Sequence, residues 1–414
     1  MQLPDGRRAV EIWRIRGMVK YRNVTPDGGY DLLFKECEVR RAVETRLVNL
    51  FKCYGFSEVV TPSIEFYDVF RDSTMDDETM YKLIDARGRI LALRPDNTTP
   101  IARVVSTKLK GFAPPLRLFY NQNVFRISPS MSGRRDEIAQ CGVELIGVGG
   151  ERADIEALSL AISALRSATP DFRLEIGHVG FFKALIDDLP VDLEAKERIR
   201  SFIDSKSYAS ISALLAPYGR ENAACRALAE LPHLFGGDEV LKRALEIAPN
   251  EQASGIIRYL QSVYETLCEM GWGEHIMIDL GLVQSIDYYT GVVFKGYMHG
   301  PGEAVLFGGR YDELYGKFGV PMPATGFALN VDAIAREGLE ENKSDRADVL
   351  VFYEKGYTKA AFVHADSLIA AGLTCERSVF ETLENAVDYA RKKGIRRIDV
   401  VAETVTPRTL EAEK

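Results

Sequence analysis

Paired cysteines are missing from this sequence of 414 residues. Its six cysteines (Cys37, Cys53, Cys141, Cys225, Cys268 and Cys375) stand far apart, with no CxxC pair. That spacing argues against a disulfide framework or a thiolate zinc site and fits reduced thiols in a cytoplasmic protein. Histidines are few: His178, His233, His275, His299 and His364 are isolated, so neither a metal nor a cofactor is expected. Long hydrophobic runs are absent too. None nears the ~20 residues that cross a bilayer, so no membrane partner is expected. A basic excess is also lacking: 52 Lys and Arg face 60 Asp and Glu, for a net charge of −8. The chain therefore has no general electrostatic pull on nucleic acid. The opening MQLPDGRRAVEIWRIRG is basic but lacks the apolar centre of a secretory signal. Residues 1–20 are read as a mobile N-terminal extension, and Met18 as a possible alternative start. No internal repeat or low-complexity tract interrupts the chain.

What remains has the composition of a globular protein large enough for two or three domains. Val39, Val43, Leu47, Leu50 and Phe51 recur at helical spacing, ending near Gly55. FSEVVTPSIEF reads as a strand broken by Pro62, and ILALRPD as another that runs into a helix with Pro100 near its start. LRLFYNQNVFRI and AQCGVELIGVG alternate apolar and polar residues, as two antiparallel strands around the loop SPSMSGRRDE would. From about 181 to 271 the pattern predicts helices and turns only. Strands return at HIMIDLGL, YYTGVVFKGY and EAVLFGGRY, so the helical block is an insertion in one α+β domain. A charged linker over 336–347 leads to a small β-α-β-α-β unit, expected to end in a polar tail.

Four distant patches carry reactive side chains: Arg94, Asp96 and Thr98; Arg126, Arg134, Gln140 and Glu144; Asp287, Tyr288 and Tyr289; Arg310, Tyr311 and Asp312. Singly each is weak evidence. A lone Arg or Asp on a strand is most often salt-bridged structure, and adjacent tyrosines in a strand face opposite ways, so one belongs to the core. Together they fall at strand ends of one expected sheet and suit a small zwitterion. Asp96, with Thr98 and Gln140, can meet an ammonium group. Glu144 and one tyrosine can bracket a side chain carrying two nitrogens.

LRPDNTTPIAR, NVFR…GR…Q…GVELIG, IDYYTGVVF and FGGRYD…PATGFAL resemble histidyl-tRNA synthetase, in that order, over about residues 21–335. The resemblance implies an α+β fold: a class II aminoacyl-tRNA synthetase-like antiparallel sheet flanked by helices, with a helical insertion and a truncated anticodon-binding-like unit over 348–414. It also implies a histidine site made of Asp96, Thr98, Arg126, Gln140, Glu144, Tyr288 and Tyr289. Three departures stand out. Gln284 and Ala333 occupy positions where the synthetase pattern has arginines that serve adenylation, and the loop has Asp136 where an arginine is common. Losing one such donor costs on the order of a hundredfold or more in rate. RPDNTTPIAR, LPHLFGGDEVL, DYYTGVVF and PATGFALN resemble the synthetase-like regulatory subunits of ATP phosphoribosyltransferase. This implies a protein without chemistry of its own. It would be required by a short-form catalytic subunit in the first step of histidine biosynthesis, and would assemble as synthetase-like dimers in a hetero-oligomer under feedback by L-histidine. No tRNA binding is expected. An active, divergent histidyl-tRNA synthetase is the alternative.

Overall fold

The structure is a computed structural model that describes residues 21–71, 77–129, 133–219, 222–283, 289–300, 302–337 and 346–410. The expected N-terminal extension, residues 1–20, and most of the expected linker lie outside these. The chain forms two compact units that divide after Leu339.

In chain order the first unit carries the helix Lys35–Cys53, strands β1 (Ser57–Glu58), β2 (Ile64–Phe66), β3 (Lys82–Ile84) and β4 (Ile90–Leu93), and the helix Thr98–Thr107. Then come β5 (Leu116–Phe125), β6 (Glu137–Ile146), the helix Glu151–Ala168 and β7 (Phe172–His178). A run of helices from Val179–Ile186 to Glu251–Glu269 follows, interrupted by β8 (Phe235–Gly236). Strands β9 (Ile276–Asp279), β10 (Val292–Met298), β11 (Leu306–Arg310) and β12 (Ala324–Asn330) lead to the helix Val331–Glu337. The expectation of helices and turns alone over 181–271 is corrected by β8, which pairs with β9. Two residues are too few to show a hydrophobic period.

The large sheet has the order β1-β5-β6-β12-β11-β10-β7-β9-β8. From β5 to β7 every neighbour is antiparallel. Towards the edges, β1–β5 and β7–β9 are parallel, so the sheet is mixed rather than purely antiparallel. The long helical run between β7 and β9 is the kind of crossover that a parallel pair requires.

Alternation decides which face is core. On β6, Ala139, Cys141 and Val143 pack against Val43, Leu47 and Phe51 of the first helix and Leu158, Ile162 and Leu165 of Glu151–Ala168. Phe51 packs tilted against Phe119 and edge-on against Phe327, with ring centroids 6.0 and 5.9 Å away. The intervening residues, Gln140, Gly142 and Glu144, turn to the opposite face. Small β2, β4 and β3 form a separate sheet whose inner face buries Phe70, Met80 and Ala92.

Arg310, read above as a candidate ligand residue, is a structural tie. Its guanidinium meets Asp154 with Nη2–Oδ1 at 2.6 Å and Nε–Oδ2 at 3.2 Å. Asp154 also accepts the Tyr259 hydroxyl at 2.6 Å, so three elements meet at one carboxylate. Arg94 is structural as well: it donates to the carbonyls of Asn123 and Thr61 at 2.6 and 2.7 Å.

The second unit pairs β13 (Val349–Tyr353), β14 (Cys375–Arg377), β15 (Arg397–Val401) and β16 (Val405–Thr409) in the order β14-β13-β15-β16. Helices Thr358–Ala370 and Leu383–Lys393 cover its opposite faces through Ala361, Ala365 and Leu368 and through Ala386 and Ala390. The expected polar tail contains a strand instead. β16 runs antiparallel to β15, held by backbone hydrogen bonds that ask nothing of its exposed side chains.

Removing one partner of the Arg310–Asp154 pair leaves an uncompensated buried charge. Asp154→Ala and Arg310→Ala are each expected to lower unfolding free energy by about 3–5 kcal/mol. Urea denaturation of the full chain measures this, and a loss below 1 kcal/mol would show that the pair is not a structural tie.

Candidate functional site

The open face of the large sheet carries a cavity of about 250 Å³, just under the ~300–1,000 Å³ usual for ligand pockets. Asp96, Thr98, Arg126, Gln140, Glu144 and Tyr289 all line it, although they come from four separate stretches of sequence. Tyr311 joins them. Asp287, Tyr288 and Gln284 lie outside the described residues. Ala333 does not line the cavity: it is buried in the helix Val331–Glu337, its N–H donating to Asn330 Oδ1 at 3.1 Å. Arg134 lies away from the cavity, 3.8 Å from Glu303.

The sheet register shapes the floor. Gly326 stands opposite both Glu144 and Gly309. A Cβ on Gly326 would lie 2.5 Å from Glu144 Oε2, and one on Gly309 would lie 2.7 Å from the Tyr289 ring. Two glycines thus make room for an acid and an aromatic ring on a flat surface. Glu144 is 2% exposed. Its Oε1 accepts the Thr98 hydroxyl at 2.7 Å, while Oε2 has no partner among the described residues. Burial, opposed by the Thr98 hydrogen bond and reinforced by Asp96, pushes its carboxyl up to about 8.

The other acid has a structural duty. Asp96 accepts the Thr99 N–H at 2.6 Å and the Thr99 hydroxyl at 3.0 Å, capping the first turn of Thr98–Thr107. Burial raises its pKa, and Arg126 nearby works against that rise. A carboxylate has about four acceptor positions, so Asp96 retains capacity towards the cavity. Arg126 is held by Nε donating to Pro95 O at 2.8 Å. Gln140 Oε1 sits 3.4 Å from Asn97 Nδ2.

Asp136 closes the neck of the loop after β5. It accepts the Ser128 N–H at 2.9 Å and the Tyr81 hydroxyl, and its own N–H donates to Gly28 O at 2.9 Å. The acid that departs from the synthetase pattern therefore pins the loop's described ends; residues 130–132 lie outside the described residues.

Sequence reading missed Asp204, Lys295 and Phe307, which also line the cavity. Lys295 and Phe307 were detectable, since strand alternation puts both on the open face once the pairing of β10 with β11 is known. Asp204 had no signal, because it ends the helix Leu193–Asp204, far away in sequence. Among the described residues no group of His, Cys, Asp and Glu is placed to hold a metal, and no helix is long and apolar enough to cross a membrane.

The histidyl-tRNA synthetase family profile matches residues 28–334. An ATP phosphoribosyltransferase regulatory subunit from Clostridium kluyveri is 43% identical, covering 92% of this chain and 99% of its own. One from Bacillus mycoides is 39% identical over 91% of each. Among solved structures, an ATP phosphoribosyltransferase regulatory subunit/histidyl-tRNA synthetase from Bacillus halodurans C superimposes with a TM-score of 0.81 at 31% identity, covering 89% of this chain and 97% of that one. A histidyl-tRNA synthetase from Nostoc sp. PCC 7120 shares the fold, with a TM-score of 0.78 at 20% identity over 94% of this chain and 95% of that one. The chain belongs to the family of ATP phosphoribosyltransferase regulatory subunits, built on the histidyl-tRNA synthetase fold.

Proposed function

We propose that this chain is the non-catalytic regulatory subunit of a cytoplasmic ATP phosphoribosyltransferase, that it activates a short-form catalytic subunit, and that L-histidine bound in the cavity on the sheet is its feedback signal. The observation that carries the histidine assignment is Glu144: a buried carboxyl with one oxygen on Thr98 and the other without a partner among the described residues. Such a group calls for an N–H donor, and an imidazole beside Tyr289 supplies one. Asp96 and Gln140 receive the ammonium group. Gln284 and Ala333, neutral where the synthetase pattern has arginines, lack the two cationic donors that adenylation needs.

The direct test is co-purification with a short-form ATP phosphoribosyltransferase catalytic subunit, with activity assayed with and without histidine. Activity should require this chain and fall on adding histidine. A catalytic subunit that neither binds it nor changes rate would sink the reading. Coupling must also be reciprocal. The factor by which the catalytic subunit alters histidine affinity should equal the factor by which histidine alters subunit affinity, both measurable by calorimetry.

Glu144 gives a second expectation. Its folded pKa lies above its ordinary value of 4.5, so the folded state binds the extra proton between about pH 4.5 and 8. Stability without ligand therefore falls as pH rises through that window, by at most about 5 kcal/mol. Glu144→Gln should flatten this slope, raise the melting temperature at pH 8 and weaken histidine binding. A melting profile against pH that is the same in wild type and variant would remove Glu144 from the site.

The small sheet supports self-association. Ile64, Phe66 and Leu83 are exposed side by side with half-buried Leu91 and Leu93 on its outer face, a position where alternation normally puts polar residues. We assign this face to a second copy of the chain. Ile64→Glu with Phe66→Glu should halve the mass seen in sedimentation; an unchanged mass would reject this surface.

A further inference from the structure

An amino acid brings a carboxylate into the cavity, and two buried acids already stand there. Some cation has to meet it. Arg126 is one in the wall, but its Nε is committed to Pro95 O and its charge acts on Asp96. Lys295 is the other. It sits in the middle of β10, in the cross-strand row Tyr120–Gly142–Ala328–Phe307–Lys295. Every side chain of that row that lines the cavity does so from the open face, and Lys295 is half-buried there.

Its surroundings leave its charge available. Lys295 makes no salt bridge with a described residue. Glu175, directly opposite on β7, accepts the Tyr297 hydroxyl and feels Lys295 only through space. Asp204 also lines the cavity. The distance fits a small zwitterion as well. The Glu144 carboxyl lies against Gly326 of β12, and β10 is two strands away, about 10 Å at the usual spacing. Lys295 and Glu144 line the same cavity from strands that far apart, so a small molecule can lie between them.

We propose that Lys295 binds the α-carboxylate of the ligand and makes the cavity select an amino acid over the corresponding amine. This rests on the histidine reading of the same cavity. Asp96 and Gln140 take the ammonium group on one side, Glu144 and Tyr289 take the imidazole at the floor, and Lys295 takes the carboxylate on the β10 side.

Calorimetry of the full chain with L-histidine and with histamine, which keeps the imidazole and amine but lacks the carboxylate, tests it. Wild type should prefer L-histidine. Lys295→Gln should lose about tenfold to a hundredfold in L-histidine affinity while binding histamine as before. Unchanged histamine binding also certifies that the variant is folded, and Lys295→Arg should keep most of the preference. A Lys295→Gln chain that still prefers L-histidine as strongly as wild type overturns the proposal. Equal loss of both ligands overturns it too, since the lysine would then be supporting the pocket rather than reading the carboxylate. If wild type binds neither ligand, the histidine reading itself falls and takes this inference with it.

Discussion

A glycine opposite a glutamate is the constraint on which the site depends. Glu144 of β6 faces Gly326 of β12, and the carboxyl occupies the space that a Cβ on Gly326 would need. Strand register is all-or-none in this respect. A slip of one residue would send Glu144 into the helices and Val143 out into the cavity. The apolar residues 139, 141 and 143 prevent the slip, because each is buried against the helix Lys35–Cys53 or its neighbour. The core on one face therefore holds an acid in place on the other. Burying that acid is unfavourable by itself, because a carboxyl with one oxygen unmet among the described residues has lost water and gained one hydroxyl. The stability for this comes from the back of the sheet, and the unmet oxygen is what gives the front its chemistry.

The walls follow the same division of labour. Asp96 caps a helix and lines the cavity, so the position of the Thr98 hydroxyl, one residue into that helix, depends on the same carboxylate. Arg310 is drawn away from the cavity by Asp154, which Tyr259 also holds, and this leaves Tyr311, the next residue, facing in. Asp136 pins the neck of the loop that begins just after Arg126. Each tie fixes one wall residue by spending a neighbour.

The sequence made much of this legible, for identifiable reasons. Long alternating strands such as Leu116–Phe125 and Glu137–Ile146 announce themselves, because one face must be apolar. Asp96, Thr98, Gln140 and Glu144 stand in motifs whose residue types suit a zwitterion, and the structure brings them to one cavity. Three things were hidden. Arg310 looks like a binding residue until its partner is known, and Asp154 lies 156 positions away. Strand β16 is held by backbone alone, so its exposed side chains carry no pattern. Asp204 meets the cavity only through helix packing, which no local stretch encodes.

Asp204 also bears on how a small ligand could reach a partner protein. A ligand shifts an equilibrium only by binding two states unequally. If every cavity residue came from the rigid sheet, the ligand would have little to discriminate. Here the sheet supplies Glu144, Lys295 and Phe307, while the helical run inserted between β7 and β9 supplies Asp204. A molecule that touches both is sensitive to any displacement of that helix against the sheet, and by reciprocity it resists or favours that displacement. The unmet oxygen of Glu144 adds to the difference, because the cost of ionising it in an empty pocket is relieved only when a donor arrives. In the proposed reading, the binding energy of the ligand goes into distinguishing an occupied pocket from an empty one.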